Sequence, residues 1–292
     1  MSATQDRPLN GAPYCAVLTG GGGGIGAAIA RAIAPQCAAL LLVGRDAARL
    51  AATARAVERP GLVCRVVPAD LTTAEGRDAV VQAAAGFDVN LLINNAGTSE
   101  FAWFADQGEA SVERILDVNA LAPMLLTQRL LPQLLQRRAG ATIVNVGSIF
   151  GYLGYPGCAS YSASKFALRG FTEALRRELA DGPVRVLYFA PRATRTALND
   201  DALTALNAEL GTAMDAPEWV AHELVALLRR PARERLLGMP EKFFARVNQL
   251  LPGLVDSSLR KQLDTIRSFA RRGRPRPARV TATIQSSEGG SL

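Results

Sequence analysis

Five consecutive glycines at positions 20–24, followed by Ile25 and Gly26, stand between an apolar stretch at 14–19 and the small, helix-forming Ala27-Ala28-Ile29-Ala30. A flexible linker needs neither a hydrophobic strand before it nor an isoleucine inside it. A tight strand-to-helix turn uses both, because glycine lets backbone amides close on an anion while the following helix directs its partly positive N-terminus at it. The spacing Gly-x-Gly-x-x-Gly, met at Gly21, Gly23 and Gly26, says little alone in so glycine-rich a run. Its place inside a first βαβ unit makes it a phosphate-binding turn.

Apolar, β-branched runs at 14–19, 39–43, 62–67, 90–94, 142–146, 184–189 and 235–237 alternate with helix-length stretches. That alternation predicts an α/β fold, a Rossmann-type doubly wound parallel sheet of about seven strands. The runs are nearly continuous rather than alternating, as in strands covered on both faces. Residues 1–238 are expected to form one dinucleotide-binding catalytic domain. Residues 239–270 read as an appendage of two amphipathic helices, 240–251 and 257–269, separated by Pro252 and Gly253. Residues 271–292 are too poor in apolar side chains to pack and are expected to be a disordered basic tail.

The net charge of +7 resembles a nucleic-acid signal until it is located. Five arginines against Glu288 give residues 271–292 a net of +4, leaving +3 for all the rest. Nucleic acid is therefore not an expected partner. Cys15, Cys37, Cys64 and Cys158 are widely spaced, form no CxxC pair, and read as reduced thiols rather than a metal site or a disulfide framework. The first ten residues lack the charged start and apolar run of a secretory signal, and no apolar run reaches the 18 to 20 or so residues of a membrane span, so a cytoplasmic location is expected.

The second strand runs into Gly44-Arg45-Asp46. An acid near this position would bind the ribose hydroxyls of NAD, whereas a guanidinium suits a ribose 2′-phosphate. Arg45 therefore favours NADP over NAD, with Asp46 read as the cap of a helix at 47–57. Tyr161 and Lys165 lie four apart on a candidate helix, so the ammonium can approach the phenol and favour phenolate over the ordinary pKa of about 10. Such a phenol exchanges protons with an alcohol or carbonyl oxygen. Ser148, at the C-terminal edge of the fifth strand, can hydrogen-bond that oxygen, and Asn119 sits in the preceding helical stretch, as a packing residue or as a kink holding a water beside Lys165.

Taken together, Thr19-Gly20-x-x-x-Gly24-Ile25-Gly26, Asp70-Leu71, Asn94-Asn95-Ala96-Gly97, Asn119, Ser148 and Tyr161-x-x-x-Lys165 resemble the classical short-chain dehydrogenases/reductases, in that family's order over residues 14 to about 238. The resemblance implies that Tyr161 is general acid/base, that Lys165 lowers its pKa and holds the nicotinamide ribose, that Ser148 orients the substrate oxygen, and that Asn119 supports a proton relay. It implies further that Gly20, Gly24, Ile25 and Gly26 bind the pyrophosphate, that Asp70 and Leu71 lie beside the adenine, and that Asn95, Ala96 and Gly97 pass under the adjoining ribose. Thr196 matches the threonine expected at the nicotinamide carboxamide. Arg192 stands where the family shows glycine, which unsettles the path of this loop; Arg192 or Arg195 could meet a phosphate, an acidic substrate group, or only solvent.

After Pro191 a short lid is expected, ending at a capping-box signal, Asp215-x-x-Glu218. His222, remote from the motifs, reads as structural. Phe101, Trp103, Phe104, Phe150, Tyr152 and Tyr155 supply either a pocket lining or core. With the appended helices they suggest a hydrophobic substrate such as a fatty-acyl, sphingoid or steroid-like ketone, reduced with NADPH or formed from its alcohol. Residues 240–279 could touch an anionic membrane or pack on the domain or a second subunit. A homo-oligomer is what the resemblance implies. The rival readings are a nucleotide-sugar epimerase or dehydratase, which usually carries a larger C-terminal domain, and a dinucleotide-sensing scaffold without turnover.

Overall fold

The computed structural model describes residues 12–230 and 232–272. The readings made on the first ten residues, and those on the tail from residue 273 onward, including Arg274, Arg276 and Arg279, lie outside the described residues. The order of elements is β1 (Tyr14–Thr19), α1 (Gly24–Ile33), β2 (Cys37–Gly44), α2 (Ala47–Ala56), β3 (Val63–Pro68), α3 (Ala74–Ala85), β4 (Leu91–Asn94), α4 (Glu109–Leu116), α5 (Ala122–Leu135), β5 (Ala141–Val146), α6 (Ala159–Glu178), β6 (Val184–Ala190), α7 (Asp201–Glu209), α8 (Pro217–Leu228), β7 (Glu234–Leu236), α9 (Met239–Leu250) and α10 (Pro252–Ala270).

All seven strands are parallel and ordered β3-β2-β1-β4-β5-β6-β7. This is the expected Rossmann-type doubly wound sheet. Successive residues of a strand face opposite layers, and the core divides accordingly. Leu18, Leu40, Leu42 and Ile93 pack on α1 and α8 through Ile29, Ile33, Leu224 and Leu228. Val17, Leu41, Leu92 and Ile143 pack on the other layer through Val80, Leu126, Leu130 and Leu175. Each such side chain, removed from water, contributes about 1.5–3 kcal/mol. The two edge strands depart most from continuous burial, β3 alternating exposed and covered residues and β7 holding no buried one, because the sheet ends there. The order of connection reverses between β1 and β4, and beyond the C-terminal ends of these strands a doubly wound sheet leaves a crevice for a ligand.

The appended helices differ from the sequence expectation in one respect. Pro252 and Gly253 do not separate them but begin α10, with Pro252 at a first-turn position where its missing N–H costs nothing. Both helices pack against the main body. Ala245 of α9 joins Ile149, Tyr152, Leu168 and Tyr188. Ile266 and Phe269 of α10 join Phe101, Cys158, Leu203 and Leu206.

Candidate active site

The glycine turn closes by backbone contact. Gly20 and Gly24 adopt positive φ of 68° and 52°, which disfavour any side chain. A Cβ at Gly26 would overlap the carbonyl oxygen of Gly20, so the first turn of α1 can approach β1 only without one. Helix α1 begins with no capping side chain and no acid in its first turn, leaving its N-terminus free of local anions. The turn is stitched to the loop after β4. Thr19 Oγ1 accepts from the backbone N–H of Asn95 at 2.9 Å and of Ala96 at 3.0 Å, and Asn95 Nδ2 donates to the Thr19 carbonyl at 3.0 Å. A smooth backbone cradle with a bare helix N-terminus fits the pyrophosphate of a dinucleotide.

A cleft of about 1010 Å³ opens above this turn. At one end lie Arg45, Asp70 and Leu71. Asp46 caps α2, its carboxylate accepting from Arg49 N at 3.0 Å, as expected. Hydrogen bonds from Thr72, first its backbone N–H and then its hydroxyl, hold the Asp70 carboxyl below the usual range. Arg49 was not singled out by sequence, yet its Nε donates to the Gly22 carbonyl at 3.2 Å and its guanidinium lies over the glycine turn. Arg45 and Arg49 are both exposed beside the same end of the cleft. Their spacing of four on one helical entrance was the available signal.

At the other end, Ser148, Tyr161 and Lys165 line the cleft with Asn95, Ala96 and Gly97. Lys165 is buried, its ammonium 5.7 Å from the centre of the Tyr161 ring and donating to the Val146 carbonyl at 3.0 Å. Desolvation lowers its pKa to about 8. The same burial pushes the Tyr161 phenol up to about 12, opposed by a hydrogen bond from Ser148. Loss of water is the largest influence on the phenol in this structure, and it acts upward. Asn119 occupies a wide π turn, Asp117–Leu121, between α4 and α5. Its side chain is fully committed: Oδ1 accepts from Thr98 N at 2.8 Å, while Nδ2 donates to the Thr98 carbonyl at 2.9 Å and to Ser164 Oγ at 3.0 Å. It thereby clamps the β4 loop to α6, on which Tyr161 and Lys165 stand. The helix is distorted at this point, and the side chain itself packs between the β4 loop and α6.

The loop after β6 corrects several expectations. Arg192, partly buried on the cleft lining, grips Asp215 through two bonds of 2.8 and 2.9 Å and reaches Glu241 of α9 at 3.2 Å. These bonds, the Asp215 pair above all, raise its pKa. Asp215 is consequently not a helix cap; α8 begins after Ala216 with Pro217 in its first turn and no capping side chain. Arg195 is tied back to the Met214 carbonyl. Thr196 lies beside Gly24, where a Cβ would stand 3.2 Å from its methyl group, so it does reach the turn. The lid carries a helix of its own, α7, capped by Asp200 accepting from Leu203 N at 2.7 Å. His222 is exposed on α8.

Of the six aromatics, Phe150 and Tyr155 line the cleft, stacked 5.0 Å apart, with Phe150 edge-on to Tyr161 at 6.3 Å. Phe101 and Tyr152 are core, Phe104 is exposed, and Trp103 packs under Arg267 of α10 at 4.8 Å. Phe244, Val255 and Leu259 of the appended helices complete the outer wall of the same cleft.

Residues 14–207 match the family model described as short chain dehydrogenase. The chain is 32% identical over 249 residues, 82% of its length and 86% of the relative's, to the ketoacyl reductase HetN of Nostoc sp.. Among solved structures, a short-chain dehydrogenase of Sphingobium yanoikuyae in complex with NADPH superposes with a TM-score of 0.70 at 25% identity, covering 83% of this chain and 95% of that one. A bulky-bulky ketone specific alcohol dehydrogenase of Comamonas testosteroni gives 0.69 at 26% identity, covering 84% and 94%. Fold, cleft and relatives agree: this chain is an oxidoreductase of the classical short-chain dehydrogenase/reductase family.

Proposed function

We propose that this protein is an NADP(H)-dependent carbonyl reductase acting on a hydrophobic ketone, with Tyr161 as proton donor. The observation that carries the reading is the meeting of Ser148, Tyr161 and Lys165 at the end of a cleft whose floor is the glycine turn. When bound, the reduced nicotinamide supplies a hydride to the carbonyl carbon. A phenol raised to about 12 holds its proton at neutral pH, so Tyr161 Oη is ready to deliver it to the carbonyl oxygen. Ser148 Oγ donates a hydrogen bond to the same oxygen, and the Lys165 ammonium beside the ring stabilises the phenolate left behind until a proton from solvent restores the phenol. Asn119 acts by holding the β4 loop against α6.

For the cofactor, Arg45 and Arg49 support NADP over NAD. Both are exposed at the end of the cleft where Asp46, the acid that would serve a ribose diol, is already spent as a helix cap. In the same reading Gly20, Gly24, Ile25 and Gly26 hold the pyrophosphate, Asp70 and Leu71 flank the adenine, Asn95, Ala96 and Gly97 underlie the ribose, and Thr196 meets the carboxamide. The lining by Phe150, Tyr155, Phe244, Val255 and Leu259 supports a bulky, apolar substrate, of the kind named for the relatives that act on ketoacyl or bulky ketones. The reading includes a cytoplasmic location, where the NADP pool is kept reduced, and assembly of identical subunits. Ketones of graded chain length, assayed with NADPH and NADH side by side, test it; faster turnover with NADPH and with longer chains is expected, and equal rates with NADH would remove the cofactor assignment.

A further inference from the structure

Large apolar side chains are exposed singly over most of the surface, which is ordinary. Between residues 239 and 254 they are concentrated: Met239 is 76% exposed, Phe243 67%, Leu250 79%, Leu251 58% and Leu254 61%. They occupy α9, the start of α10 and the turn between them. The opposite sides of the same helices are already buried, through Ala245, Val255 and Ile266, so this outer apolar surface is surplus to folding. A cluster of that kind marks a surface that meets something apolar.

The charges around it discriminate between occupants. Lys242 and Arg246 on α9 and Arg260 and Lys261 on α10 are exposed around the cluster, against exposed Asp256 and Asp264, while Glu241 is turned inward in an ion pair with Arg192. The four cations outnumber the two acids, so a second copy packed across a two-fold axis would bring two net-positive surfaces together. An anionic lipid surface accepts both the apolar side chains and the cations around them. Phe244 and Val255, from the same two helices, line the cleft that holds Tyr161, so the outer surface and the cleft wall are continuous.

We propose that the α9–α10 hairpin docks on an anionic bilayer and sets the mouth of the cleft at the lipid surface, where a ketone dissolved in lipid can enter. The proposal rests on the hydrophobic-ketone reading above only for what enters; docking itself stands on the hairpin. The hairpin reaches the interface by its side chains, since no described helix is long and apolar enough to cross a membrane.

The test is sedimentation of the full-length protein with vesicles of phosphatidylcholine alone or with about 30 mol% phosphatidylglycerol. The bound fraction is expected to rise at least about tenfold with the anionic lipid and to fall back with added salt. L250E/L251E/L254E, at exposed positions, should lose binding while keeping its melting temperature; Val63→Glu, on the edge strand at the far side of the sheet, should not. Tyr161→Phe should sediment like the parent, which separates this inference from the redox assignment. Equal sedimentation with both vesicles would overturn it. So would a dimer that L250E/L251E/L254E converts to monomer, since the surface would then belong to a second copy.

Discussion

On the cleft wall made by the ends of β1, β2 and β4, backbone touches backbone: the Gly20 carbonyl lies against Gly26, and the Thr19 hydroxyl takes the N–H groups of Asn95 and Ala96. Across the cleft, the wall of α7, α9 and α10 is made of side chains, with Phe244, Val255 and Leu259 held in place by packing and by the Arg192 ion pairs. A backbone wall tolerates no added atom and suits a ligand of fixed shape. A side-chain wall can be recut one residue at a time, and there the identity of the substrate is written.

Glycine substitutions expose this contrast most strongly. Gly26→Ala places a methyl group on backbone, and NADPH affinity is expected to fall by about 100-fold or more, equivalent to about 3 kcal/mol, as read by fluorescence titration. Gly253→Ala, at the start of α10 with open space around it, should leave affinity unchanged and stabilise α10 by about 0.5–1 kcal/mol. Comparable loss of NADPH binding in both would erase the distinction. Next in size, Arg45→Ala should weaken NADPH binding by about tenfold, one lost charge-assisted contact, while NADH changes little; loss of both nucleotides alike would point to a folding role. On the side-chain wall, Arg192→Met leaves Asp215 and Glu241 without their cation and should lower unfolding free energy by about 2 kcal/mol in denaturant titration, discounted for partial exposure. Arg192→Lys should recover only part, because an ammonium cannot reproduce the forked contact.

The smallest effect concerns pH. Lys165 has a folded pKa of about 8 against 10.5 in water, so burial disfavours its charge and the folded state is penalised below pH 8. That penalty is relieved as pH rises from 8 to 10.5, where the unfolded chain still binds the proton. Lys165→Met, which also loses the bond to Val146, should therefore be more stable than the parent by about 1 kcal/mol at pH 7, with the gain gone by pH 10.5. A constant difference across that window would mean that the lysine is not penalised by burial.

The backbone wall is also the one that could be read in advance. A glycine run, an N-capping Asp46 and strands buried on both faces are local signals, each decided by sterics within a few residues. The side-chain wall depends on pairs 23 and 49 residues apart, Arg192 with Asp215 and Glu241, which no periodicity announces; hence Asp215 read as a cap, and Arg192 as a solvent or phosphate contact. The six aromatics scattered among cleft, core and surface for the same reason. The Tyr161–Lys165 spacing disclosed proximity correctly but not desolvation, which depends on every layer packed around α6.

The measurement closest to the core of the proposed function is turnover of a bulky ketone with NADPH by Tyr161→Phe, alongside NADPH affinity. Removal of one oxygen should cost about 10³-fold in kcat, with affinity for the nucleotide within about twofold of the parent's, a difference under 0.5 kcal/mol. A Tyr161→Phe protein that consumes NADPH at the parent's rate would mean that the proton comes from elsewhere, and that the meeting of Ser148, Tyr161 and Lys165 is not the seat of the reaction.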